Sequence, residues 1–146
     1  MNRLTTSLRL LTSALAVSLG LVPAWAQSAP APALMLELNS AQPSDKGCRL
    51  TFVVNNALGA DLSKAEFEIA LFNEAGVVDR LTVLDFKDLS AGKTKVTRFD
   101  LAGADCGKLS RVLINSTTEC AGNGVEPATC MRGLKTSTKT GIAFGV

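Results

Sequence analysis

Apolar residues recur at every second position through much of this chain. Over 48–55, Leu50, Phe52 and Val54 alternate with Arg49, Thr51 and Val53. Over 65–72, Phe67, Ile69 and Leu71 alternate with Glu66, Glu68 and Ala70. A period of two sends one set of side chains into a core and the other outward, as in a half-buried strand. The same reading predicts strands near 33–38, over 77–86, over 94–101 (Thr97, Phe99 and Leu101 inward) and over 109–116 (Val112 and Ile114 inward). A seventh is expected over 135–144, ending in Ile142 and Phe144. Residues 61–68 are the best helical stretch, but Phe67, Ile69 and Leu71 keep a period of two rather than 3.6.

Turn chemistry separates these runs. Asn73-Glu74-Ala75-Gly76 and Leu89-Ser90-Ala91-Gly92-Lys93 each place a glycine where a hairpin must reverse. Short strands punctuated in this way predict an all-β sandwich, seven-stranded and antiparallel. The residues 48–115 also resemble the immunoglobulin-like sandwiches of the CARDB and FxLYD type. The resemblance is carried by Val54-Asn55-Asn56-Ala57-Leu58-Gly59, by Phe67 to Gly76, and by Leu89 to Thr94. Where the FxLYD signature has Tyr-Asp, this chain has Phe72-Asn73. The whole chain is similar to small secreted alphaproteobacterial proteins with cysteines in like places. The resemblance implies an immunoglobulin-like fold and export, and it brings no site residues with it.

The N-terminus reads as an export signal over 1–26. Arg3 and Arg9 give a positive start, 10–21 is an apolar run, and Ala24-Trp25-Ala26 is a small-x-small cleavage site. As a helix, 10–21 would reach about 18 Å, short of a bilayer core of roughly 30 Å. Cleavage would leave a Pro-rich linker, 27–32, and one domain, 33–146. The expected location is the periplasm, reached by a Sec-type signal, with no membrane span after cleavage.

The four cysteines, Cys48, Cys106, Cys120 and Cys130, all follow the signal, and an even number in an exported chain reads as disulfides. Three pairings are possible. The short spacing of Cys120 and Cys130 favours a local bridge, which leaves Cys48 with Cys106. In a sandwich of this strand order, that second bridge would pin one sheet to the other. Zinc is disfavoured, because no Cys-x-x-Cys occurs and no histidine can complete a mixed site.

Charge changes the picture next. The formal net charge is +2, from 15 basic and 13 acidic residues. Removing Arg3 and Arg9 with the signal balances the two signs, which argues against nucleic acid as a partner. Histidine and tyrosine are absent, and Trp25, the single tryptophan, lies in the signal. The usual general base and commonest metal ligand are therefore missing. No enzyme, metal or cofactor is expected. Ser90-Ala91-Gly92-Lys93 and Lys139-Thr140-Gly141 match motifs of penicillin-binding enzymes, but those need a larger α/β domain with Ser-x-x-Lys opening a helix. Glu66 with Glu68 reads as a solvated strand face rather than an acid–base pair. Asp100 and Asp105 lack a calcium-loop spacing, and Met35 with Met131 is a poor copper set.

Two surfaces remain. The loop between Cys120 and Cys130 carries Asn123-Gly124 and Pro127, with Glu126 as its one charge. Loops held on a rigid β scaffold are common binding sites. Val53, Phe72, Val96 and Leu113 also fall on outward parity. Phe72 and Leu113, if they share a sheet, would form a partner or homodimer patch. The expectation is a non-catalytic binding or adaptor module contacting another envelope protein. The alternative is a small-ligand or carbohydrate binder using the Cys120–Cys130 loop.

Overall fold

A computed structural model describes residues 28–146. The expected signal lies outside the described residues. Residues 28–32 are exposed and have no regular secondary structure. Eight strands follow: β1 (Ala33–Ser44), β2 (Gly47–Ala57), β3 (Lys64–Asn73), β4 (Val78–Asp85), β5 (Thr94–Ala102), β6 (Leu109–Ala121), β7 (Leu134–Thr138) and β8 (Ala143–Gly145). One short helix, α1 (Thr129–Arg132), precedes β7. The strands form two four-stranded sheets, ordered β5-β2-β1-β7 and β4-β3-β6-β8, which pack together as an all-β sandwich. Among the described residues no helix is long and apolar enough to cross a membrane.

The period-two residues build the core. Leu34, Leu36 and Leu38 of β1, Leu50, Phe52 and Val54 of β2, and Phe67, Ile69 and Leu71 of β3 are all buried. Burial of each such side chain is worth about 1.5–3 kcal/mol. Phe86, one residue beyond β4, joins the sheets. Its ring meets Phe67 of one sheet at 5.9 Å and Phe99 of the other at 5.0 Å, both edge to face.

The last expected strand divides in two. Residues 135–144 supply β7, at the edge of one sheet, and β8, at the edge of the other. The chain reverses over 138–142 because threonine hydroxyls take over the backbone donors. Thr138 Oγ1 accepts from the Thr140 N–H at 3.1 Å, and Thr140 Oγ1 accepts from the Ile142 N–H at 3.0 Å. Such local bonds compete with a ladder. β7 runs parallel to β1, and β8 runs parallel to β6. The remaining strand pairs are antiparallel, so the sandwich is mixed at its closing edge.

β1 and β6 also run beyond their alternating stretches. β1 carries a register shift between Leu38 and Ser40, and β6 pairs with β3 through several shifts. Their distal halves are mostly polar, so hydrophobic alternation does not mark them. Gly47 completes the β1–β2 hairpin at φ +148, where an added Cβ would lie 2.3 Å from the Leu101 carbonyl oxygen. Only glycine fits there.

Both disulfides form as the spacing favoured. Cys48 bonds Cys106, and Cys120 bonds Cys130, with Cα atoms 5.0 and 6.0 Å apart. The first links β2 to a 3-10 turn, Cys106–Lys108, that leads into β6, and so ties the two sheets.

Candidate binding surfaces

β6 delivers Cys120 to one end of the sandwich, beside the β2–β3 connection and the start of β1. From there the chain turns sharply. The Val125 N–H donates to the Gly122 carbonyl at 3.2 Å, and Gly124 takes φ +70. Gly122 presses on the β2–β3 connection, where an added Cβ would meet the Asp61 carbonyl oxygen at 2.2 Å. Val125 and Met131 pack against the core, and Cys130 is fully buried. The Leu34 N–H of β1 donates to the Gly133 carbonyl at 2.8 Å. The loop is therefore fastened at its base, middle and exit.

What remains exposed is its tip. Asn123, Gly124 and Glu126 all face solvent. Glu126 reaches the Arg132 guanidinium at 3.3 Å across the loop. Beside that pair lies a groove of ≈ 440 Å³, lined by Ala31, Pro32, Leu58, Thr129, Arg132 and Gly133. Thr129 belongs to the loop that the two cysteines frame; the other five lie outside it, and the six come from three distant segments.

The second surface is the outer face of the sheet β4-β3-β6-β8. Register places Ala70 beside Leu113 and Leu81, and Phe72 beside Arg111 and Val78. Phe72 and Leu113 thus share one face, on adjacent strands. The Arg111 guanidinium carbon stands 5.4 Å from the centre of the Phe72 ring, a cation–π contact. Leu81 and Val83 are about half exposed, at 54% and 48%. The sequence did not single them out, because β4 carries apolar residues on both parities (Leu81 and Val83 against Leu84). Val53 and Val96 pair with each other on the outer face of the other sheet.

Charge is ordered on the apolar face. Lys64 bridges Glu66 and Glu119 at 2.9 and 2.8 Å, and these bonds hold its ammonium well above the usual lysine range. Asp85 pairs with Lys87, and that hydrogen bond keeps its carboxyl below its ordinary value. Glu68 accepts from Asn115 Nδ2 at 2.6 Å. Among the described residues no ion pair involves Glu68 or Arg111.

The Ser-x-x-Lys and Lys-Thr-Gly stretches both lie in turns between strands. The Lys93 N–H donates to the Ser90 carbonyl at 3.2 Å, with Gly92 at φ +71, which is a strand-to-strand turn. Lys139-Thr140-Gly141 forms the β7–β8 reversal. Asp100 lies against Arg49 at 2.9 Å. A smaller cleft of ≈ 270 Å³ opens at the opposite end, where Arg80 is held by Asp79 and the Ala102 carbonyl. No family model, curated protein or solved structure matches the chain.

Proposed function

We propose that this protein is an exported, non-catalytic binding or adaptor module of the immunoglobulin-like type, which contacts another envelope protein through its disulfide-tied loop. The observation that carries the reading is the loop end itself. A tip of Asn123, Gly124 and Glu126 is held at three points by the core and borders a groove lined by Leu58, Pro32 and Arg132. Preorganisation of this kind lowers the ordering cost of binding. The strand neighbours β5-β2-β1 and β4-β3-β6 support the immunoglobulin-like reading, with β7 and β8 closing one edge. Two disulfides support export to an oxidising compartment such as the periplasm. Cleavage after Ala26 would remove Trp25, so the secreted protein should show no tryptophan fluorescence.

Cross-linking in the native envelope, with a photoreactive side chain at Asn123, tests the reading. A single specific protein captured there, and lost when 121–129 is shortened, supports the adaptor. Capture that is indifferent to the loop removes it.

The groove favours one second reading, a small-ligand or carbohydrate site. A ligand would raise the melting midpoint by mass action. Carbohydrate is the weaker version, because no aromatic side chain lines the groove.

A further inference from the structure

We propose that a second copy of this chain covers the outer face of the sheet β4-β3-β6-β8, forming a two-fold homodimer. This surface is separate from the loop end and does not depend on what the loop binds. The face has three transverse rows. The central one is Leu81–Ala70–Leu113–Gly145. On one side lies Val83–Glu68–Ser116, and on the other Val78–Phe72–Arg111–Ala143. The outer rows stand about 6.7 Å from the centre, two residues along a strand.

The charges on this face select the partner. Asp85, Glu66 and Glu119 already have lysine partners. Glu68 and Arg111 have no ionic partner among the described residues, and they lie one on each side of the central row. Glu68 leans toward β6, where Asn115 donates to it, and Arg111 leans toward β3, over Phe72. Both charges therefore stand above the seam between β3 and β6.

A two-fold axis along the central row lays the Glu68 row of each copy on the Arg111 row of the other. Two new ion pairs then flank a centre of Leu81, Leu113 and Ala70 meeting their own equivalents. An axis along the strands would instead lay Glu68 on Glu68 and acid on acid, at a repulsive cost. The arrangement is isologous and closes at two copies. Ala70 and Gly145 keep the centre low, so two faces can approach.

Sedimentation equilibrium of the oxidised protein across a dilution series reads the association directly. The wild type is expected to dimerise. Glu68→Arg alone and Arg111→Glu alone should each weaken the dimer at least about tenfold. An equimolar mixture of the two variants should recover it, because each copy then offers the charge the other lacks at both crossings. The double variant should recover it as well. A monomeric wild type, single variants that stay dimeric, or a mixture that fails to recover each overturns the proposal. Leu81→Asp is a further disrupting variant on an exposed position, with circular dichroism confirming the fold. Shortening 121–129 should leave the dimer intact, so loss of loop binding and loss of dimerisation are read separately.

Discussion

Phe52 of β2 and Phe86, just beyond β4, meet across the sandwich edge to face, with ring centres 5.5 Å apart. Phe52 also touches Phe99 and Phe144, at 5.9 and 5.5 Å. With neither tryptophan nor tyrosine among the described residues, this phenylalanine cluster is the main aromatic mass of the core. Phe86→Ala should therefore cost about 3–5 kcal/mol. Thermal unfolding would show a fall of more than about 10 °C for a domain of this size. Phe72→Ala, on the outer face, should move the midpoint far less.

The two disulfides should separate stability from binding. In the chain-entropy view, a bridge with the Cys48–Cys106 separation of 58 is worth about 4 kcal/mol, and one with the Cys120–Cys130 separation of 10 about 3 kcal/mol. The double replacement Cys48→Ala/Cys106→Ala should lower the melting midpoint and leave capture at Asn123 intact below it. Cys120→Ala/Cys130→Ala should abolish capture even where the sandwich stays folded. Capture that survives Cys120→Ala/Cys130→Ala would show that the loop needs no bridge of its own.

Gly122 offers a finer probe of the loop. A Cβ added there would meet both the Asp61 carbonyl oxygen at 2.2 Å and Val125 Cγ2 at 2.9 Å. One obstacle is backbone and cannot move cheaply. Gly122→Ala should push the turn off the β2–β3 connection, with a stability loss of about 1–3 kcal/mol and weaker capture at the tip. Gly76→Ala, with open space around its Cβ, is the control. It tests backbone strain alone, because Gly76 takes φ +74.

Much of the fold is legible in the residue pattern, and its gaps have physical causes. Phe67, Ile69 and Leu71 alternate against glutamates, and all three are buried. The β4 stretch places Leu81 and Val83 on one parity and Leu84 on the other, so periodicity alone does not orient it. The β7–β8 reversal depends on Thr138 and Thr140 hydroxyls, which leave no mark in a hydrophobic pattern. The loop tip is visible because two cysteines frame it. The groove beside it is not, because Pro32, Leu58 and Arg132 meet only after folding. The shared face of Phe72 and Leu113 follows from register, which parity constrains but does not fix.

Acid should expose the surface ion pairs. Arg49 donates to Asp100 through Nε at 2.9 Å and through a terminal nitrogen at 3.2 Å. These bonds hold the Asp100 carboxyl below its ordinary value, and Lys87 does the same to Asp85. A carboxylate with a lowered folded pKa binds protons more readily when unfolded, so its stabilisation is complete above the unfolded value, about 3.9. It is lost as pH falls through the lower folded value. The two side chains of the Arg49–Asp100 pair are partly exposed, so the effect is modest and salt-screened. Melting midpoints measured from pH 7 down to acid should show Asp100→Asn below the wild type by a constant margin at first. The margin should then close below the ordinary aspartate range, and high salt should shrink it throughout. A margin that persists at the most acidic points would assign the loss to packing around Asp100 rather than to its charge.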